Sequence, residues 1–237
     1  MKAFLLAAGL GTRLRPLTDS VPKCLVQIDG KPLLDYWMDL YSLHNVSEVL
    51  INTHYMHAQV HEYIYDRNLS GKLPYITEYY ESELLGSAGT VAANRDFILN
   101  DEAFYICYAD NLTNIDLTHM LKFHQAHTAS FTMALFRSNN PSQCGIAALD
   151  KDDRIARFEE KPLEPESNLA NAGVYIADRS LFDLLPPGRF LDFGKDIIPT
   201  LVGKMYGWES HDYLLDIGTP ENYRKAQEDA KWIIRKK

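Results

Sequence analysis

Short apolar runs alternate with amphipathic stretches through the first half of the chain. Lys2–Ala8, Glu48–Asn52, Tyr75–Tyr79 and Ala103–Tyr108 have the length and aliphatic or aromatic character of strands. Between them, Pro32–His44, His57–Tyr65, Ser87–Leu99 and Asp116–His127 read as helices. The last opens on an acidic cap, and Leu117, Met120, Leu121 and His124 follow at helical spacing. Strands alternating with helices of about 10–13 residues predict βαβ units and a mostly parallel sheet.

The pattern changes in the second half. Ser130–Phe136, Gly145–Leu149, Ile155–Glu159 and Ala172–Ala177 are strand-like with little helix between them. Asp150–Asp153 is a turn that predicts a hairpin. Helical segments follow at Arg179–Leu184 and Pro220–Ile234. No Ser/Gly-rich linker, repeat or low-complexity tract interrupts the chain. The expectation is one continuous three-layer α/β domain over 1–237, with a mixed, mostly parallel central sheet open at its carboxyl edge.

Composition narrows the partners. The 237 residues are 46% hydrophobic and 24% charged, ordinary for a globular protein. Asp plus Glu is 32 against 24 Lys plus Arg, a net charge of −8. That balance speaks against nucleic-acid and anionic-membrane partners, so any phosphate site must be a local concentration of positive charge. No run approaches the roughly 20 apolar residues of a membrane helix. The opening MKAFLLAAG stops at Gly9 with Arg13 and Arg15 close behind, too short for a signal peptide and better read as a buried first strand. Cys24, Cys107 and Cys144 are odd in number and widely spaced. They predict neither a disulfide framework nor a zinc site, but a reduced, cytoplasmic protein. His54, His57 and His61, and His124 with His127, complete no metal motif and are assigned to helix surface and packing.

The first strand runs into Ala8-Gly9-Leu10-Gly11-Thr12-Arg13-Leu14-Arg15-Pro16-Leu17-Thr18, with Pro22-Lys23 further on. A glycine-rich turn at the carboxyl end of a first strand lets backbone amides approach phosphates. A plain tight turn is the alternative. A dinucleotide fingerprint needs a third glycine where Leu14 stands, and no Gly-Lys-Ser/Thr of a Walker loop is present. Arg13, Arg15 and Lys23 behind the glycines instead suggest a polyphosphate site, against the alternative of a solvated basic loop.

The pattern Gly-x-Gly-Thr-Arg-Leu-x-Pro-Leu-Thr followed by Pro-Lys resembles the signature of the sugar-1-phosphate nucleotidyltransferases, which include mannose-1-phosphate guanylyltransferases and glucose-1-phosphate thymidylyl- and uridylyltransferases. Further segments carry the resemblance along nearly the whole chain: Leu85-Gly86-Ser87-Ala88-Gly89-Thr90, Ala109-Asp110-Asn111, Cys144-Gly145-Ile146, Glu159-Glu160-Lys161-Pro162, Asn171-Ala172-Gly173 and Leu215-Asp216-Ile217-Gly218-Thr219-Pro220. Ala7-Ala8 stand where many relatives carry Gly-Gly. The chain ends shortly after Pro220, which implies a short form without the β-helix of longer relatives.

The resemblance implies a Rossmann-like nucleotidyltransferase fold, with a nucleotide-binding part over about 1–115 and a sugar-phosphate-binding part over about 116–237. It implies a reaction of a nucleoside triphosphate with a sugar 1-phosphate, giving an NDP-sugar and pyrophosphate. Arg13 would hold the departing pyrophosphate and Lys23 would neutralise the α-phosphate. Ala8, Gly9, Gly11, Thr12, Gly86 and Ser87 would meet the nucleotide. Asn111, Gly145, Glu160, Lys161 and Asn171 would meet the sugar phosphate. Asp110 and Asp216 would hold Mg²⁺, a hard cation that takes one or two carboxylates plus phosphate oxygens. As alternatives, either Asp could be a turn former or helix cap, the Glu159–Lys161 segment an exposed charge run, and Asn171 a turn residue.

Uridylyl and thymidylyl relatives often place a glutamine just before the second glycine-rich segment, where Tyr79-Tyr80-Glu81-Ser82-Glu83 stands without one. A carboxylate can accept from guanine N1–H and N2–H₂ and meets uracil O4 badly, so Glu81 favours GTP; an exposed glutamate by a loop is the plain alternative. Asp192-Phe193-Gly194-Lys195-Asp196 resembles the mannose and heptose branches. The preferred expectation is therefore a guanylyltransferase for a mannose- or heptose-type 1-phosphate. The alternatives are uridylyl or thymidylyl transfer, or a catalytically silent NDP-sugar-binding subunit. Homo-oligomerisation is left open.

Overall fold

The computed structural model describes residues 1–99, 101–127 and 130–233. Chain contacts divide it into two compact units: residues 1–84, 108–115 and 212–237, and residues 85–107 and 116–211. In chain order the first unit opens with β1 (Lys2–Leu6), β2 (Gln27–Ile28), β3 (Lys31–Pro32), α1 (Leu33–Leu43), β4 (Glu48–Thr53), α2 (His57–Leu69) and β5 (Tyr75–Tyr80). The chain continues with α3 (Ser87–Ala93), β6 (Ala103–Tyr108) and β7 (Asn111–Thr113). The second unit then holds α4 (Leu117–Ala126), β8 (Phe131–Arg137), β9 (Gly145–Leu149), β10 (Ile155–Glu160), β11 (Leu169–Asp178), α5 (Ile198–Leu201) and β12 (Tyr206–Glu209). The chain returns to the first unit with β13 (Leu214–Asp216) and α6 (Pro220–Ile233).

In the first unit β1, β4 and β5 pair in parallel, in that order. Ala3, Phe4 and Leu5 of β1 are wholly buried, as a parallel strand covered on both faces requires. Helices α1 and α2 are the crossovers that parallel neighbours need. Helix α6 buries Ala226, Ala230 and Ile233, one stripe at helical spacing. They join a core of Leu14, Val26, Ile28, Leu33, Tyr36, Leu112 and Ile217. Three of these are sequence neighbours or near neighbours of candidate site residues: Leu14 of Arg13, Leu112 of Asp110, and Ile217 of Asp216. The site loops are thus anchored from below by apolar burial.

The second unit is mainly antiparallel. Strand β11 pairs with β6, β8 and β9, and the β9–β10 hairpin turns through Asp150–Asp153 as the sequence suggests. The Asp150 carboxylate accepts from the amides of Asp152 and Arg154, which fixes that turn. Strand β12 adds to β8 in parallel, a pairing the periodicity does not reveal because four residues carry too little pattern. The helix expected over Ser87–Leu99 ends at Ala93 and gives way to a 3₁₀ turn over Arg95–Ile98. Asn94 accounts for the break: its side-chain amide donates back to the Thr90 carbonyl. A π-helical turn over Phe193–Ile197, capped by Asp192, is likewise beyond the sequence pattern. The expected final helix reaches Ile233, and Ile234 lies outside the described residues.

Buried His124 on α4 meets Thr132 Oγ1 through Nδ1 at 2.8 Å. Burial holds its pKa below the usual 6.5, against the pull of Asp178 and with help from His127. The unfolded chain therefore binds a proton at this site more readily than the folded one. Stability should be full above about pH 6.5 and fall as pH drops below it. Urea unfolding followed between about pH 5 and pH 8 should show that slope, and His124→Gln should flatten it. An unchanged slope in the variant would assign the effect to another group.

Candidate active site

The loop after β1 becomes three short 3₁₀ turns, over Thr12–Leu14, Leu17–Asp19 and Lys23–Leu25. Gly11 has φ +64, and a Cβ there would lie 3.0 Å from the Thr18 methyl, so both conformation and space demand glycine. Thr18 Oγ1 donates to the Gly11 carbonyl at 2.8 Å and closes the loop. Gly9 differs. It has no positive φ, and a Cβ would meet nothing within 4 Å. Nothing in the protein itself requires glycine at position 9.

Folding brings four candidate residues together within the first unit. Strands β7 and β13 pair antiparallel with Asn111 opposite Asp216, and the Ile217 amide donates to the Asp110 carbonyl. This ribbon places Asp110 beside Asp216 despite their distance in sequence. Lys23 Nζ donates to Asp110 Oδ2 at 2.8 Å and to Asp216 Oδ1 at 3.2 Å. Arg13 Nη2 stands 3.5 Å from Asp216 Oδ2. The Lys23 side chain is 10% exposed, while those of Asp110 and Asp216 are 37% and 43% exposed. Burial works to lower the Lys23 pKa, but the two carboxylates outweigh it and hold the ammonium above its ordinary range.

A cleft of about 120 Å³ opens beside this cluster, lined by Leu6, Ala7, Gly9, Lys23, Tyr108 and Asp110 among others. Gly218 is the residue that sequence reasoning passed over. Its backbone is unstrained, yet a Cβ would lie 2.8 Å from Arg13 Nη2, Asp216 Oδ1 and Lys23 Nζ alike. Its amide donates to Asp216 Oδ1 at 2.7 Å. The signal was its place in Asp-x-Gly-Thr-Pro, read there for the carboxylate alone. Arg15 stands apart from the cluster, in an ion pair with Asp19 at 3.1 Å.

Glu81, just after β5, is 3% exposed, which removes the reading of an exposed loop glutamate. Its Oε1 accepts from Asn52 Nδ2 at 2.9 Å, and Asn52 Oδ1 accepts from the Ala7 amide at 2.7 Å. Asn52, a polar residue in the otherwise apolar β4 run, is a second residue missed in the sequence. Its amide ties the end of β1 to Glu81.

Ala8 is buried in the first unit, and the other candidates lie in the second unit. Gly86 has φ +76 and stands where any Cβ would strike the Leu191 carbonyl; Leu191 also accepts from the Ala88 and Gly89 amides. Ser87 Oγ lies 3.0 Å from Asp192 Oδ2 and accepts from the Phe193 amide. The glycine-rich segment is therefore locked onto the Asp192-Phe193 turn. A Cβ on Gly145 would lie 2.6 Å from Glu160 Oε2, and one on Gly194 would lie 3.1 Å from it. These two glycines make the space around the Glu160 carboxylate. Burial first, and Asp192 with it, raise the Glu160 pKa against the pull of Lys161 and Lys195. Lys161 has φ +51, and its ammonium is 3.9 Å from Glu160 Oε1. Asn171 Oδ1 accepts from the Gly173 amide and its Nδ2 donates to the Tyr175 hydroxyl, so its side chain spans the irregularity in β11 between Asn171 and Tyr175 rather than a turn.

Two carboxylates that already share one ammonium fit a hard cation with oxygen ligands. Among the described residues no group of three or more His, Cys, Asp or Glu could hold a metal. Phosphate oxygens would have to complete such a set.

Comparison with known proteins identifies the family. The nucleotidyl transferase family model matches residues 2–231. A mannose-1-phosphate guanylyltransferase from Mycobacterium tuberculosis is 32% identical over 96% of this chain, which spans 64% of that protein's length. A D-glycero-alpha-D-manno-heptose 1-phosphate guanylyltransferase from Aneurinibacillus thermoaerophilus is 32% identical over 99% of this chain and 100% of its own. A crystal structure from Bacillus anthracis in complex with a sucrose, assigned as a glucose-1-phosphate thymidylyltransferase, superposes with a TM-score of 0.86 at 22% identity, covering 98% of this chain and 95% of that one. It has the same fold, α/β with a mixed central sheet. The chain belongs to the nucleotidyl transferase family.

Proposed function

We propose that this protein joins a nucleoside triphosphate and a sugar 1-phosphate into an NDP-sugar with release of pyrophosphate. The carrying observation is the convergence of Lys23, Asp110, Asp216 and Arg13 beside the glycine loop. In this reaction a phosphate oxygen of the sugar 1-phosphate attacks the α-phosphorus, and the bond to the β-phosphate bridging oxygen breaks. The attacking oxygen is already ionised near neutral pH, so no general base is needed. The obstacle is the approach of one anion to another, and catalysis is positioning and charge neutralisation.

Arg13 would hold the departing pyrophosphate, and Lys23 would offset charge at the α-phosphate. The open space at Gly9 leaves backbone free to approach phosphate oxygens. Gly11 and Thr12 shape that turn. Asp110 and Asp216 would hold Mg²⁺, which when bound supplies charge neutralisation on the phosphates. Lys161 would meet the sugar phosphate, and Glu160 and Asn171 the sugar hydroxyls.

GTP is the proposed nucleotide, with a mannose- or heptose-type 1-phosphate as acceptor. The guanylyltransferase relatives and the carboxylate of Glu81, held in place by Asn52, support that choice. We place the reaction in the cytoplasm. The described residues include no disulfide between cysteines and no helix long and apolar enough to cross a membrane.

The test is pyrophosphate release with GTP, ATP, UTP, dTTP and CTP, each offered with mannose 1-phosphate and with a manno-heptose 1-phosphate. Release should be greatest with GTP. Greater release with another base would overturn the guanine assignment, and release with none would favour a silent NDP-sugar-binding subunit.

A further inference from the structure

The two carboxylates proposed for the metal are already occupied by a side chain. Lys23 Nζ is within 2.8 Å of Asp110 and 3.2 Å of Asp216, and Arg13 stands 3.5 Å from the free side of Asp216. Two negative and two positive groups cancel, so the cluster as folded presents little net attraction to a divalent cation. A cation entering there must displace an ammonium whose hydrogen bonds it would have to replace. A Cβ on Gly218 would lie 2.8 Å from Arg13 Nη2, Asp216 Oδ1 and Lys23 Nζ, so the four-residue cluster has little room for a further member.

The lysine has somewhere to go. It lines the cleft beside Gly9, where phosphate oxygens would be its alternative partners. Moving Nζ to a phosphate would uncover both carboxylates at once and supply the oxygens that the metal set lacks.

We infer that Lys23 is a resident counter-ion that keeps Asp110 and Asp216 closed to a divalent metal until a polyphosphate draws it away. Metal and nucleotide are then coupled through one side chain: each strengthens the other's binding because the same movement serves both. This rests on the metal role proposed for the two aspartates, and it concerns the order of binding rather than turnover.

The experiment is Mn²⁺ titration of nucleotide-free protein, with unbound Mn²⁺ followed by electron paramagnetic resonance. Lys23→Met keeps most of the stem and removes the charge. It should bind Mn²⁺ at least about tenfold more tightly than the parent, in the range of ordinary coupling between sites. Adding Asp110→Asn and Asp216→Asn to Lys23→Met should abolish the gain. Thermal unfolding of each variant identifies any that fails to fold, and Lys23→Ala serves as a second charge-free variant. Equal Mn²⁺ affinity in parent and both Lys23 variants would overturn the inference, as would a gain that survives loss of the aspartates. Because no turnover is measured, an inactive protein could still show the exchange, and an active one could still lack it.

Discussion

Lys23→Ala should lower kcat/KM by at least about 10²-fold, a loss of about 3 kcal/mol of transition-state stabilisation. The size follows from where the ammonium stands. It is nearly buried, it carries two charge-assisted hydrogen bonds, and it borders the cleft where phosphates are proposed to bind. A charge at a site shielded from water acts on a developing anion more strongly than one on an exposed loop. The fold should survive the change. Asp110 and Asp216 lose a partner, but both remain more than a third exposed and can be solvated. Lys23→Met keeps most of the stem and removes the charge, so it separates packing from charge. Steady-state kinetics on both variants beside their melting curves decides the matter. Near-normal turnover in Lys23→Met would remove Lys23 from the chemistry, and a collapse of Tm would assign it to the fold.

The parts of this site that could be read in the sequence are those where one residue type at one spacing suffices. Gly11 and the Arg13 and Lys23 cations behind it are of that kind, whereas Asp110 and Asp216 stand out only through the family resemblance. The sequence also announced the βαβ half, because β1, β4 and β5 are short strand-like runs separated by helices. What stayed hidden depends on tertiary proximity. Nothing in the local pattern says that Asn111 pairs with Asp216, because β7 and β13 are three residues each. Nothing says that Gly218 is a glycine for clearance, because its neighbours Arg13 and Lys23 arrive from the far end of the chain. Arg15 looked equivalent to Arg13 and is not, because Asp19 four residues on captures it. Asn171 and Ser87 are polar residues in recognisable segments; in the fold Asn171 spans the irregularity in β11 and Ser87 holds the Asp192-Phe193 turn. Spacing reveals which residue types are available, and folding decides which of them are already engaged.

Asp110→Asn and Asp216→Asn should each cost most of what the pair contributes, and the double variant should be little worse than the worse single one. The two carboxylates converge on one ammonium from distant parts of the chain, through the β7–β13 ribbon. Groups that act as a unit lose their function together, so their separate losses do not multiply. Asparagine keeps the size and one oxygen acceptor but gives up the charge that a hard cation requires. Each single variant should therefore also need more Mg²⁺ to reach half its maximal rate. The Mg²⁺ requirement separates two origins of the non-additivity. If the aspartates served only to orient Lys23, the losses would still fail to multiply, but the Mg²⁺ concentration for half-maximal rate would stay where it is in the parent. If they share a metal, both signatures appear together. Losses that multiply, with an unchanged Mg²⁺ requirement, would leave one aspartate as a turn residue. Asp216 would be the candidate for that role, since its Oδ1 already accepts from the Gly218 amide and its carbonyl from Asn222.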